Sequence, residues 1–251
     1  MTALTIVLLC LFVGLGRWQW GRAEAKAGLQ RQFEAAAAAA ELGGQSTASL
    51  PRYARVVARG EWDADRQFLL DNRTRDGRAG YEVLTPLRLP DGRWLVVNRG
   101  WLPFGGYRDR LPDVAAALRD GDAVDAAPMP AVPLRAVRGR LDELPTAGLA
   151  SGRAAPAATG PWPRVAAFPS TAELAQALAT PSDPRPRVEP RVLLLDAGEP
   201  QGYARDWKPF AKGPEQNWSY AIQWWSFAVV LLILYGALNL ERPKDGEART
   251  Q

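Results

Sequence analysis

Two apolar stretches without a charged residue lie at the two ends of the chain, and largely polar sequence separates them. Residues 1–16 and 216–240 contain no Asp, Glu, Lys or Arg. An α-helix rises 1.5 Å per residue, so about 20 residues cross the hydrocarbon core of a bilayer. The second stretch is long enough by itself, and the first is long enough if residues 18–20 lie in the interface and Arg17 reaches the headgroups. The pattern predicts a membrane hairpin that carries one domain between its two helices.

The hairpin implies five segments along the chain. We expect a first transmembrane helix at residues 1–21, a helical stalk at 22–44, a β-rich extramembrane domain at 45–214, a second transmembrane helix at 215–240 and a cytoplasmic tail at 241–251.

An alanine run predicts that the helix of the first span continues into the stalk. Residues 35–40 are all alanine, the residue with the highest helix propensity. The pair Gly43-Gly44 is typical of a helix end. We therefore expect helix as far as Leu42.

The central part of the chain shows strand patterns separated by turn residues. Turn chemistry recurs about every dozen residues, as at Pro90-Asp91-Gly92. The run at 94–97 is continuously apolar, which indicates a strand buried on both faces. We expect strands at 67–70, 81–89, 94–97, 131–141 and 191–196. The fold class is thus mainly antiparallel β, a small barrel or curled sheet with peripheral helices.

Two stretches interrupt this pattern, and a short helix follows them. Residues 105–130 and 145–163 are rich in Ala, Pro, Gly and Arg, so we expect long surface excursions there. Whether they are functional loops stays open. Ser170 and Glu173 form a capping box that predicts a helix over residues 172–179.

The composition excludes several kinds of chemistry. The chain has no histidine, and its one cysteine, Cys10, lies in the first apolar stretch. An intramolecular disulfide, a His/Cys zinc site, Ser-His-Asp catalysis and a histidine-ligated haem are therefore impossible within this chain. A carboxylate-based hydrolase using Asp71 or Asp91 lacks a close pair of acids. Net charge is +4 without a basic run, so we expect no nucleic-acid partner.

The first apolar stretch is better explained as an anchor than as a cleaved signal peptide. It has no basic residue before the apolar run, and bulky Trp18 and Trp20 follow it instead of a small-x-small site. The distribution of basic residues does not fix the orientation, because long domains translocate regardless of charge. Two spans do place both termini on the same side.

Aromatic and amide residues flank the polar domain on both apolar stretches. We expect one cluster at the same membrane face, made of Trp18, Gln19, Trp20, Asn217, Tyr220, Gln223, Trp224 and Trp225. We call it the rim cluster, and we call its two halves, one on each apolar stretch, the rims. An interfacial aromatic belt accounts for the aromatic residues alone. A buried amide needs a partner, so Gln19 and Gln223 would pair with each other, with a second protein or with a polar cofactor edge. Asn217, Tyr220 and Trp224 share one helix face by spacing.

A third motif, Asn98-Arg99-Gly100-Trp101, follows the apolar run at 94–97. Asn98 and Gly100 suit a turn with positive φ, so we expect the strand to end here. Arg99 and Trp101 either face a ligand or partner, or mark a strand end with a core tryptophan.

Several short motifs occur together in one order along the chain. They are Gly16-x-Trp18-Gln19 with Arg22 and Lys26 after it, Tyr53 to Gly60, Asn72-Arg73 before Gly80-Tyr81, Val83 to Leu87, Asn98 to Trp101, Leu193 to Asp196, and Tyr220-Ala221-x-Gln223-Trp224. In this combination, bracketed by two spans, the chain resembles the Surfeit locus protein 1 family of cytochrome c oxidase assembly factors.

The resemblance implies a non-enzymatic role in oxidase biogenesis. Family members have two spans and a domain on the outer membrane face, and some bacterial members bind haem a and help deliver it to the main oxidase subunit. In those members a histidine stands three residues before the second-span tyrosine, where this chain has Asn217. A haem a contact here would be transient and without histidine ligation, through packing and Arg–propionate pairing.

The resemblance also implies partners and a location. The expected partners are the main oxidase subunit, other oxidase assembly factors and membrane lipid. The expected location is a bacterial inner membrane, with the central domain periplasmic and both termini cytoplasmic. The rim cluster and the loop at Arg99–Trp101 would hold the partner. The alternative is a membrane-tethered scaffold or ligand-binding domain with no link to haem.

Overall fold

The computed structural model describes residues 2–35, 38–107, 110–115, 118, 134–147, 152, 154–210 and 212–239. These residues form two compact units. Residues 35–207 make up a β unit, and the two terminal segments make up a helical unit. The tail at 241–251 lies outside the described residues, as do most of 105–130 and part of 145–163.

The helical unit is a hairpin of two long helices. Helix α1 spans Thr2–Glu34 and helix α3 spans Glu215–Asn239. Both are long and apolar enough to cross a membrane, as the two uncharged stretches predict. Small residues are buried along the hairpin, on α1 at Gly16, Ala23 and Ala27 and on α3 at Ala221 and Ala228. Small side chains let two helix backbones approach closely in a membrane.

The described residues of the β unit form eight strands in one sheet. They are β1 (Ala40–Glu41), β2 (Arg55–Trp62), β3 (Phe68–Arg75), β4 (Arg78–Arg88), β5 (Trp94–Pro103), β6 (Arg135–Glu143), β7 (Arg164–Ala166) and β8 (Arg191–Leu195). The strand order is β1-β2-β6-β8-β5-β4-β3-β7. A further pairing of β2 with β4, at Glu61–Arg88 and Trp62–Leu87, closes five strands into a barrel. The predicted fold class is confirmed.

Most neighbouring strands are antiparallel, and parallel pairs occur at three places. Strands β3, β4 and β5 form an antiparallel meander, whereas β1 runs parallel to β2, β7 to β3 and β8 to β5. Strand β8 lies between β5 and β6, so residues far apart along the chain complete the barrel.

Apolar side chains of all five barrel strands form one buried cluster. It contains Leu42, Val56, Ala58, Leu87, Leu89, Leu95, Val97, Val137, Leu141, Leu193 and Leu195. A second cluster covers the opposite face of β4, β5 and β8, where Leu84 and Val96 pack with Phe68 of β3 and Leu174 of helix α2 (Thr171–Leu178). Burial on both faces explains the continuous apolar run of β5. The predicted capping box is confirmed, because Ser170 accepts from Glu173 N and the Glu173 carboxylate accepts from Ser170 N.

Several predicted boundaries were wrong. Helix α1 ends at Glu34, before the predicted Leu42, because β1 pairs in parallel with β2 and the buried Leu42 donates its N–H to Val57 O. These tertiary contacts outweigh the helix propensity of alanine.

Strands β3 and β5 also run past their predicted ends. The turn-like residues Asn72 and Gly100 both have positive φ but lie inside these strands, and the register of β3 shifts at Leu70/Arg73. Part of the predicted surface excursion at 105–130 is buried, since Val114 and Leu118 are each 2% exposed.

A buried ion pair fixes the segment before β2 to the barrel. Arg93 Nη1 lies 2.6 Å from Glu189 Oε1. The other carboxylate oxygen of Glu189 accepts from Thr47 N at 2.6 Å, Thr47 Oγ1 at 2.8 Å and Ser46 Oγ at 3.0 Å. Burial opposes ionisation of Glu189, yet these hydrogen bonds and Arg93 hold its pKa below the usual glutamate value.

We predict that Glu189→Gln destabilises the full chain by about 1–3 kcal/mol at neutral pH, because it weakens the charge-assisted hydrogen bonds from Arg93, Thr47 and Ser46. Arg93 keeps its second carboxylate partner, Asp91, at 2.6 Å. The lowered pKa means that the Glu189 contribution is complete above the unfolded-state pKa and is lost as pH falls through the folded-state pKa. Thermal unfolding of wild-type and variant chains in detergent from pH 7 to pH 3 should show the difference shrinking on acidification. A difference that stays constant over this range contradicts the assignment.

Candidate functional site

Three side chains form a hydrogen-bonded link between α1 and α3. Asn217 Nδ2 donates to Gln19 Oε1 at 2.6 Å, and Lys26 Nζ donates to Asn217 Oδ1 at 2.8 Å. Lys26 Nζ also donates to Lys212 O at 3.2 Å and lies 5.8 Å from the centre of the Phe210 ring. We call Gln19, Asn217 and Lys26 the polar link.

Helix periodicity places the polar link on the packed faces of the two helices. On α1, Gly16, Gln19, Ala23 and Lys26 are three or four residues apart and so share one stripe. The Asn217 position begins the matching stripe on α3, which continues through Ala221. Lys26 follows the first predicted rim in the sequence, and the same spacing places it on this stripe. The partner of Gln19 is Asn217 and not Gln223.

Aromatic side chains pack on both sides of this link. Trp20 lies 5.6 Å from Trp225 and 6.3 Å from Trp218 between ring centroids. Trp224 stacks on Phe12 at 5.8 Å. These contacts join the two rims, as the cluster hypothesis expects of Trp20 and Trp224.

Gly16 makes room for one of these rings. A Cβ atom added to Gly16 would lie 2.2 Å from Trp225 Nε1. The glycine of the Gly-x-Trp-Gln motif thus permits close approach of the second helix.

Other predicted rim residues face outward. Trp18 is exposed under the guanidinium of Arg22, which lies 5.2 Å from its ring centre, and Tyr220 is also exposed. Gln223 is exposed, and its side chain has no hydrogen-bond partner among the described residues. The expectation that Gln223 is buried was wrong, because the packed stripe of α3 runs through Ala221 and Trp224.

The motif on β5 lies inside a strand of the β unit. Asn98 Nδ2 donates to Glu82 Oε2 at 2.8 Å, and Asn98 Oδ1 accepts from Gly100 N at 3.1 Å. Trp101 Nε1 donates to Arg73 O at 3.3 Å. The register of β4 and β5 shifts between Glu82 and Leu84. Asn98 and Gly100, which the sequence assigned to a turn, therefore form a β-bulge within the strand.

Arg99 is fully buried and bonded internally. Its Nε donates to Gln201 O at 2.7 Å, and its Nη1 donates to Val114 O at 3.1 Å and Gln67 Oε1 at 3.0 Å. The guanidinium lies 5.0 Å from the centre of the Tyr203 ring. Burial lowers the pKa of Arg99, and burial raises the pKa of Tyr203.

The backbone beside Arg99 holds the same segment. Tyr203 N donates to Arg99 O at 2.7 Å, and Trp101 and Ala204 exchange two backbone hydrogen bonds. We call these contacts between Arg99–Trp101 and residues 201–204 the Arg99 latch. The segment that it fastens leads along the chain into α3. Arg99 therefore positions a connecting segment, and its side chain does not present a charge to solvent.

The polar link does not fit axial ligation of haem iron. Both polar atoms of Asn217 are engaged, by Lys26 and by Gln19. The chain has no histidine, and Cys10 lies exposed on α1. The hairpin presents hydrogen-bond donors and aromatic faces. These groups suit non-covalent binding more than ligation of a metal or catalysis.

Comparisons with known proteins place the chain in one family. A family model described as the SURF1 family matches residues 6–229, which include the entire β unit, nearly all of α1 and the first part of α3. A relative described as a SURF1-like protein, from Dictyostelium discoideum, is 40% identical over 60 residues. That match covers 23% of this chain and 22% of the relative.

We predict that Gly100→Ala destabilises the chain more than Gly77→Ala. Both glycines have positive φ, +111° and +73°, so both substitutions carry backbone strain. A Cβ on Gly100 would also lie 2.9 Å from Ala204 O and 2.7 Å from Arg205 Cγ, whereas nothing lies within 4 Å at Gly77. The expected extra loss is about 1–2 kcal/mol by thermal unfolding. Equal losses would contradict the latch.

Proposed function

Because the chain belongs to the SURF1 family, which is known in general as a family of cytochrome oxidase assembly factors, we propose that it assists maturation of the main subunit of a haem–copper oxidase. The match over residues 6–229 carries this proposal. The role is non-enzymatic: the protein holds its client and transforms no substrate. Haem a insertion is the maturation step that it serves, without iron ligation by this chain.

The helical hairpin is the docking element in this proposal. Trp18, Tyr220 and Gln223 are exposed at the rims and available to a membrane partner. The polar link and the Trp20 and Trp224 contacts hold the two rims together. Aromatic side chains and amides in one patch suit recognition of another membrane protein, since interhelical hydrogen bonds and close packing drive such association.

The β unit has a supporting role. Asn98, Arg99, Gly100 and Trp101 make internal contacts in the latch, and the segment that they fasten continues into α3. We assign to them positioning of that segment and not direct binding of the client. Other oxidase assembly factors would bind the outer surface of the unit.

The proposal includes a topology. The two helices span a bacterial inner membrane, the β unit lies in the periplasm and both termini lie in the cytoplasm. An exported domain places the rims in the outer leaflet, among lipid headgroups that suit tryptophan and tyrosine.

We predict that deletion of the gene lowers oxidase activity and a-type haem absorbance in membranes, while other respiratory complexes keep their activity. The reason is that an unassembled main subunit lacks its haem. A plasmid copy of the full chain should restore both signals. Normal oxidase in the deletion strain would reject the assembly role and favour a tethered scaffold unrelated to haem.

Two glutamine variants then separate packing from docking. Gln223→Leu should reduce oxidase assembly with little change in thermal stability, because Gln223 is exposed and its side chain makes no hydrogen bond among the described residues. Gln19→Leu should reduce both oxidase assembly and thermal stability. It should lower the free energy of unfolding by about 1 kcal/mol, because Asn217 loses its acceptor. Ser226→Ala is the control, since Ser226 bonds only to its own helix at Ile222 O. Full assembly in the double glutamine variant would support the scaffold alternative.

A further inference from the structure

The polar link has a direction that Lys26 imposes. A lysine ammonium carries donors and no acceptor. Asn217 must therefore turn its carbonyl oxygen toward Lys26, at 2.8 Å, and its NH2 group toward Gln19. Gln19 in turn must present its carbonyl oxygen to Asn217, at 2.6 Å. Amide orientations are ordinarily ambiguous, but a donor-only group at one end of a chain of amides removes the ambiguity.

The free end of the link is a donor. The oxygen and nitrogen of an amide point in diverging directions, so Gln19 Nε2 points away from Asn217. Gln19 Nε2 has no hydrogen-bond partner among the described residues, and the residue is partly exposed. An amide donor that loses contact with water and gains no acceptor is costly, so Gln19 Nε2 favours a partner that brings an acceptor oxygen to it.

The surroundings of Gln19 favour a membrane-embedded occupant. Exposed Trp18 and Trp20 flank it along α1, and aromatic side chains of α3 pack beside it. Lys26 at the other end polarises the amides and strengthens the terminal donor. A donor in an apolar, aromatic setting selects a partner that carries a carbonyl or carboxylate oxygen at the same depth.

We propose that Gln19 Nε2 is a docking donor for an acceptor oxygen on the membrane-embedded surface of the client protein. This inference rests on the assembly role proposed above and names the chemistry of its contact. Lys26 and Asn217 are positioning residues, because they set which atom Gln19 presents. The link thus rejects partners that offer a donor at this point.

The polarity can be inverted without removing the link. In Asn217→Asp, the carboxylate accepts from Lys26 and also accepts from Gln19, so the Gln19 amide must turn and present its oxygen outward. The ion pair with Lys26 keeps the helices joined. In Gln19→Glu, the carboxylate still accepts from Asn217, but its outward atom is again an oxygen. Both variants preserve the internal hydrogen bonds and replace the outward donor by an acceptor.

The test is complementation of the deletion strain with the full chain carrying Asn217→Asp or Gln19→Glu. Ser219→Asp is the matched control, because it adds a carboxylate to an exposed α3 position whose hydroxyl bonds only to its own helix. The readout is a-type haem absorbance per amount of each variant in the membrane, with thermal unfolding in detergent alongside. Loss of one hydrogen bond with exposure of a repelling oxygen predicts about tenfold weaker docking.

The expected result is low oxidase assembly in both inverted variants, wild-type assembly in Ser219→Asp and an unfolding temperature for Asn217→Asp no lower than that of wild type. Wild-type assembly in either inverted variant overturns the proposal and leaves the link a purely structural or lipid-facing feature. If the wild-type plasmid itself fails to restore oxidase, the assembly role fails instead, so the two failures are distinguishable.

Discussion

A polar side chain at membrane depth must find a hydrogen-bond partner, and this requirement organises the helical hairpin. Gln19 on α1 and Asn217 on α3 satisfy each other, and Lys26 completes the link from one turn beyond Ala23. Apolar packing alone discriminates weakly between helix registers in lipid, because lipid chains are as apolar as leucine. The polar link fixes one register, and that register brings Trp225 against Gly16 and Trp20 against Trp225.

The β unit uses a buried cation in a related way. Arg99 is enclosed without a carboxylate in contact among the described residues, and carbonyl and amide oxygens from distant parts of the chain satisfy it. A guanidinium has five N–H donors in a fixed plane, so one side chain can hold several backbone segments at once. Arg99 thereby joins β5 to residues 114 and 201, which have no regular secondary structure of their own.

Local signals in the sequence predicted local structure well. The uncharged stretches gave the two helices, the capping box gave α2, and the continuous apolar run gave the doubly buried β5. The failures concern residues whose role depends on a distant partner. Gly100 has turn chemistry but forms a bulge, because residues 203–205 approach its α-carbon. Val114 lies in an alanine- and proline-rich stretch, yet its carbonyl oxygen accepts a hydrogen bond from Arg99. Lys26 follows the Gln19 motif in the sequence, but its partner Asn217 lies 191 residues away, and only the fold brings the two together.

The position of β8 in the barrel has a consequence for synthesis. Strands β2, β4, β5 and β6 end by Glu143, but β8 at Arg191–Leu195 separates β5 from β6. A chain that folds as it is synthesised therefore lacks the strand between β5 and β6 until residue 195 has been added. Only about twenty residues later the second apolar helix begins. The barrel can therefore close only shortly before the second apolar helix is synthesised.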